Sequence, residues 1–203
     1  MSVEIDIRPV GATNVADLAG LFGIDRSTRH CWCTAFCTNS RQFAAGWFGG
    51  GNRRRFAEIA AASRYPMGVL ALMDNEPAGW CGCGPRSRYM AAINGRSRML
   101  RTRPREEDDL VWLIACLFVA AEHRGRGITH ALITAAVALA RREGALAVEA
   151  WPITSSTRNP SVFLGREEVF RAQGFECVDR PSPQRCIMRL DLRRTDPSAF
   201  ANG

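Results

Sequence analysis

The chain has 203 residues, 46% of them hydrophobic and 23% charged, the composition of a soluble globular protein with one substantial core and one domain. Its longest apolar run, "LVWLIACLFVAA" from Leu110, follows four acids and is too short to span a bilayer, and the start "MSVEIDIRPV" shows no apolar leader segment. The net charge of +7 comes from arginine without any lysine. That pattern looks like coding bias, so the basic surface alone does not choose between nucleic acid, membrane and an anionic cofactor.

In chain order, "VEIDIRPV" alternates as a strand and "NVADLAGLF" reads as a short amphipathic helix capped by Asn14. Residues 23–51 are rich in Gly, Cys and Trp and have no clear period. "NRRRFAEIAAAS" reads as a helix after "GGGN". "PMGVLALMD" and "PAGWCGCGP" read as a hairpin around "DNE". Residues 85–109 form an arginine-rich insertion, most simply a solvated surface loop. The strand Leu110 to Ala120 comes next, then the helix "ITHALITAAVALARREG" closed by Gly144. The strand Ala145 to Trp151, the helix "SVFLGREEVFRAQG" and the strands "FECVD" and "QRCIMRL" complete the core, and 193–203 is a tail.

The junction "EHRGRGITHAL", Glu122 to Leu132, is the most informative stretch. A helix start presents unpaired N–H groups and the positive end of its dipole. Gly125 and Gly127 let backbone approach an anion closely, and Arg124 and Arg126 add charge. The composite suits a pyrophosphate. A tight turn with solvated arginines fits the same residues, and the spacing is neither a Walker loop nor a full dinucleotide fingerprint.

The element order and this junction resemble the GNAT family of N-acetyltransferases, over Val3 to Leu190. "CLFVAAEHRGRGITHAL" is similar to the family's acetyl-CoA motif, with Arg124 first, Gly127 in the middle and Thr129 where Gly or Ala is usual. "VFRAQGF", Val169 to Phe175, resembles the last-helix motif, and "RHCWC" with "GWCGCGPRSRY" resembles a bacterial subgroup. The resemblance implies an α+β (α/β) fold: a mixed, mostly antiparallel sheet of about seven strands and about four helices, splayed between strands 4 and 5. It implies acetyl-CoA as co-substrate, held by Leu117, Phe118, Val119, Arg124, Gly125, Arg126, Gly127, Ile128 and Thr129, with Phe170 where the family often has a proton-donating Tyr. It further implies a small-molecule or peptide amine as acceptor, attacking directly in a ternary complex, with one strand N–H polarising the thioester carbonyl.

Glu149 interrupts the apolar "ALAVEAW" and is the candidate base, unless it is a buried arginine partner. Asp109 is the runner-up, and Tyr89 is the tyrosine that could replace the missing acid. Trp32, Cys33, Trp112 and Trp151 are candidate acceptor-pocket walls. Eight cysteines in a chain without a visible leader read as reduced thiols of a cytoplasmic protein. Cys31 and Cys33, with Cys37 close by, and Cys81 and Cys83 make two Cys-x-Cys spacings, unlike a zinc knuckle, and no metal is expected; Cys116 reads as a packed small residue. A non-catalytic acyl-CoA sensor or thiol- or metal-regulated binding protein on the same fold is the alternative. Neither nucleic acid nor membrane is expected as a partner, and oligomeric state is open, a homodimer included.

Overall fold

The structure, a computed structural model, describes residues 5–94, 100, 102–154 and 163–193, the side chains of 24, 26, 27 and 92 excepted. Among the described residues seven strands form one sheet: β1 (Ile5–Val10), β2 (Gly68–Met73), β3 (Glu76–Pro85), β4 (Val111–Val119), β5 (Ala147–Ala150), β6 (Glu176–Ser182) and β7 (Arg185–Asp191), in the order β1-β2-β3-β4-β5-β7-β6. Every pairing is antiparallel except β4 with β5. The β2–β3 hairpin turns on Asp74 and Asn75, whose φ values of 49° and 67° suit the two-residue turn that matches strand twist.

Two irregularities create the opening. β4 pairs with β5 only from Val111↔Ala147 to Ile114↔Ala150. There β5 ends, while β4 continues to Val119 against β3. In the β3 pairing Cys83 faces Ile114 but Gly82 faces Cys116, so Ala115 is an extra residue on β4, a bulge. Trp112, Ile114 and Leu117 therefore belong to one core cluster, and Leu113, Ala115, Cys116 and Phe118 to the clusters on the opposite face.

Seven α-helical segments are present among the described residues, more than the four expected. They are α1 (Leu18–Ile24), α2 (Arg26–Cys31), α3 (Ser40–Ala45), α4 (Gly51–Ala62), α5 (Met90–Ile93), α6 (Ile128–Arg142) and α7 (Glu167–Arg171). α2 and α3 are under two turns each, too short to show a period; α3 is started by a capping box between Asn39 and Gln42. Asn14 does not cap its helix. Its Oδ1 accepts from Gly11 N at 2.9 Å and its Nδ2 donates to Pro9 O at 3.1 Å, closing the turn after β1. α7 is shorter than expected because Gly165 adopts φ 73° and Arg166 bridges to Ile153, leaving Glu167 as the first helical residue; Ser161 and Val162 lie outside the described residues.

α6 buries Ile128, Leu132, Ile133, Ala136, Val137, Leu139 and Ala140 against one sheet face, each large side chain stabilising by roughly 1.5–3 kcal/mol. Residues of α1 and α4, with Trp32, Trp80 and Phe118, fill the other face. The insertion is not a solvated loop. Tyr89, Ile93 and Leu100 are buried beside Leu113, Ala115 and Trp151, and Arg86 is 0% exposed. A guanidinium can be buried there because carboxylates and a carbonyl surround it. Glu149, Glu107 and Asp108 lie within 3.3–3.4 Å and Pro104 O within 3.1 Å. No helix among the described residues is long and apolar enough to cross a membrane. Residues 194–203 of the tail lie outside the described residues.

Candidate active site

β4 leads through a 3-10 turn at Ala121–His123 to α6. Gly125 and Gly127 have φ 75° and 80°, conformations that cost a Cβ-bearing residue strain. Apart from the adjoining backbone, no protein atom lies within 4 Å of a Cβ built on either, so the glycines also keep open space. The first in-helix bond runs from Ala131 N to Gly127 O at 3.1 Å. The N–H groups of Ile128, Thr129 and His130 precede it and are orphan helix-start donors. A cavity of about 250 Å³ lies over them, bordered also by Val119, His123, Arg124 and Val169. Ile128 anchors the helix in the core, while Arg124 and Arg126 are exposed.

A second cavity, about 260 Å³, follows β4 along Leu117, Phe118 and Val119 and is closed by Phe163, Gly165 and Arg166. The two share Val119, Arg124 and Thr129 and form one groove. The strand edge there is partly engaged by the chain itself: Leu117 N donates to Phe163 O at 2.7 Å, and Arg124 Nε donates to Val119 O at 3.2 Å. Phe170 is fully buried behind this wall, edge-on to Phe175 at 5.3 Å. Phe163, Gly165 and Arg166 escaped the sequence reading, which ran a helix through them; the signal was Gly165.

Where β4 and β5 part, Trp151 Nε1 donates to Ala115 O at 3.5 Å and Phe36 lies against Trp151 at 5.4 Å. Trp32 and Cys33 border the same side of the sheet, Trp32 edge-on to Phe22 with Arg53 over its ring at 5.2 Å. Trp112 is separate, on the α6 face against Tyr65. Tyr89 is buried among Arg88, Cys37, Cys83 and Cys33, and burial raises its phenol pKa well above the ordinary value. The neighbouring Cys116 first, then Trp80 and Arg88, shift the Cys33 thiol down, against burial. Burial pushes Cys31 up to about 11 and raises Cys37 too.

Glu149 is held on both oxygens: Arg86 Nη1 reaches Oε2 at 3.3 Å and Arg189 Nη1 reaches Oε1 at 3.0 Å. Burial raises its pKa, with Arg86 and Arg189 opposing. It forms one wall of a cavity of about 210 Å³ with Arg103, Asp179 and Ile187. Asp109 is exposed and borders a different groove, with Tyr65, Ser87 and Arg88. Among the described residues no three His, Cys, Asp or Glu side chains could hold a metal ion.

Fold and site define the class: a mixed seven-stranded sheet that parts between two parallel strands, with an anion-suited helix start beside the parting. The sequence profile of the Acetyltransferase (GNAT) family matches residues 32–165, and the chain belongs to that family of enzymes. Solved structures agree on the fold. An acetyltransferase from Thermus thermophilus has a TM-score of 0.56 at 18% identity, over 95% of this chain and 100% of that one. YncA from Salmonella typhimurium, with its cofactor acetyl-CoA, gives 0.58 at 18%, over 96% and 98%. The PaiA N-acetyltransferase from Thermoplasma acidophilum, in complex with coenzyme A, gives 0.53 at 13%, over 93% and 99%. No curated protein is a significant match.

Proposed function

We propose that this chain transfers the acetyl group of acetyl-CoA to the amine of a small molecule or peptide, by direct attack in a ternary complex. The observation that carries the reading is the continuous groove from the α6 start along the half-paired edge of β4. In it the pyrophosphate meets the N–H groups of Ile128, Thr129 and His130 and the charges of Arg124 and Arg126. The pantetheine pairs with Leu117 to Val119 as a strand does, taking over the Leu117 N–H that Phe163 O accepts from. The thioester then lies at the parting beside Ala115, Cys116 and Trp151, and the acceptor enters from the side of Trp32, Cys33 and Phe36. The relatives solved with coenzyme A and acetyl-CoA support this choice of co-substrate. Eight free thiols support a reducing, cytoplasmic setting.

Proximity does most of the catalysis. Tyr89 is the proton donor to the departing thiolate, because burial keeps its phenol protonated and its neighbours lie on the parting's acceptor side. Glu149 is proposed to position β5 through its two arginines, so the attacking amine gives its proton to solvent.

Coenzyme A release measured over a panel of amines tests the reading. At least one amine should raise release well above the hydrolytic background. Acetyl-CoA binding in calorimetry without release to any amine would instead favour the sensor. In Tyr89→Phe, turnover should fall about tenfold or more with unchanged KM for acetyl-CoA; unchanged turnover removes Tyr89 from the chemistry.

A further inference from the structure

The loop from α3 into α4, "AGWFGGGN" from Ala45, carries the most exposed large apolar side chain among the described residues. Phe48 is 79% exposed, and hydrogen bonds fix the loop that presents it. His30 Nδ1 donates to Trp47 O at 2.9 Å, Arg54 Nη1 to Gly49 O at 2.8 Å, and Asn52 N to Gly46 O at 2.9 Å. Trp47 is half-buried, stacked on the His30 ring at 5.2 Å and edge-on to Phe43 at 5.5 Å. Apart from the adjoining backbone, a Cβ on Gly49 would meet nothing within 4 Å, and one on Gly50 only Arg54 Nη1, at 4.0 Å. The loop is therefore a fixed, protruding tip and not the wall of a groove.

Charge around the tip is of one sign. Residues 26–57 contain Arg26, Arg29, Arg41, Arg53, Arg54 and Arg55 and no Asp or Glu. Arg53 and Arg54 are exposed in the first turn of α4, directly after the tip. Among the described residues neither has a carboxylate in ion-pair range. The positive end of the α4 dipole lies at the same place.

Charge alone does not select a partner, but a protruding aromatic beside it does. A single nucleic-acid strand is held in a groove that tracks its backbone, and a protein partner needs a pocket shaped for the ring. A lipid surface closes around a ring pushed into it, taking aromatics at the headgroup boundary and basic groups beside the phosphates. We propose that this tip docks the chain on an anionic bilayer surface, a partner not expected from charge alone. Phe48 enters the acyl boundary, Trp47 lies at headgroup level, and Arg53 and Arg54 meet the lipid phosphates. Because the loop is already fixed, binding has little left to order. The contact is peripheral, and it does not depend on the proposed acetyl transfer.

The test is co-sedimentation of the full chain with vesicles at low salt. Vesicles of phosphatidylcholine with about one third phosphatidylglycerol should bind at least about tenfold more tightly than phosphatidylcholine alone. Phe48→Ser should weaken binding to the anionic vesicles about tenfold or more, with the melting temperature unmoved because the ring is exposed. Arg53→Gln combined with Arg54→Gln should weaken it at least about tenfold, whereas Arg142→Gln, at the exposed end of α6, should change it less than about twofold. Equal binding to the two vesicles overturns the proposal, as does Phe48→Ser binding like wild type. An Arg142→Gln loss as large as that of the double variant overturns it too, because net charge then explains the attraction. Phe48-dependent binding of a single-stranded oligonucleotide by a chain that ignores both vesicles assigns the tip to nucleic acid instead. The wild-type comparison of the two vesicles decides even where a variant folds poorly.

Discussion

Two regions of this molecule concentrate arginine, and they use it in opposite ways. At the α6 start, Arg124 and Arg126 are exposed, and among the described residues neither has a carboxylate in ion-pair range. Backbone N–H groups beside them also lack in-helix acceptors. At the other end of β4, Arg86, Arg103 and Arg189 are surrounded by Glu107, Asp108, Glu149 and Asp191. Uncompensated charge over open space leaves a potential for an anion to satisfy. Compensated charge inside the protein has no potential to spare and holds elements together. A carboxylate in the second kind of region is first a structural partner, whatever its place in the sequence suggests.

The largest effect that would sharpen this contrast is on stability. Arg86→Ala leaves Glu149, Glu107 and Asp108 facing each other around a buried hole, at a cost of roughly 3–5 kcal/mol. Thermal melts should show a fall of about 6 °C or more. Glu149→Gln should also melt lower than wild type, by less, because Arg86 keeps Glu107 and Asp108. Should Glu149→Gln melt like wild type while losing turnover at neutral pH and regaining it at high pH, Glu149 is the base and the contrast breaks.

The next effect falls on binding at the open region. Gly127→Val places a β-branched residue at φ 80°, costing about 1–2 kcal/mol of backbone strain. It also sets a side chain into space that nothing in the protein occupies. Acetyl-CoA affinity measured by calorimetry should fall at least about tenfold, equivalent to about 1.4 kcal/mol, while the melting temperature drops by only a few degrees. An unchanged affinity would remove the cradle from the site.

The same contrast explains what could be read in the sequence. Gly125, Gly127 and Gly144, the Asp74-Asn75 turn and the α6 stripe are local devices, and each takes the conformation or the burial that its neighbours in the chain suggest. Arg86 is different: its partner Glu149 is 63 residues away, and nothing near Arg86 in the sequence distinguishes it from the other arginines of the insertion. Trp112, expected with Trp32 and Trp151 in the acceptor-pocket wall, lies on the other face of the sheet by strand alternation. The bulge at Ala115 and the Phe163 contact with Leu117 arise from strand register and return of the chain, which no local pattern records. The proposed acceptor side is the least legible, because its residues come from segments far apart in the chain.

The smallest effect concerns a third cluster, intermediate between the two. Glu167, at the start of α7, accepts from Arg180 and Arg171 at 2.7 Å each. The hydrogen bond from Arg180, then that from Arg171, holds its carboxyl down at about 2, against an ordinary 4.5. Because the folded value lies below the unfolded one, this stabilisation is full above pH 4.5 and is lost as pH falls from 4.5 towards 2. Both guanidiniums are about half exposed, so solvent and salt screen the pair heavily. Glu167→Gln should therefore melt only about 1–2 °C below wild type at pH 7 and low salt. That difference should vanish near pH 2 and shrink in about 1 M salt, where the Debye length is near 3 Å. The Arg86→Ala deficit should barely respond to the same salt, since its charges are buried. If instead the Glu167→Gln deficit persists unchanged at low pH and high salt, the residue works through shape and neutral hydrogen bonds. Charge at α7 would then count for nothing, and the separation of surface from buried pairing would have to be drawn on packing alone.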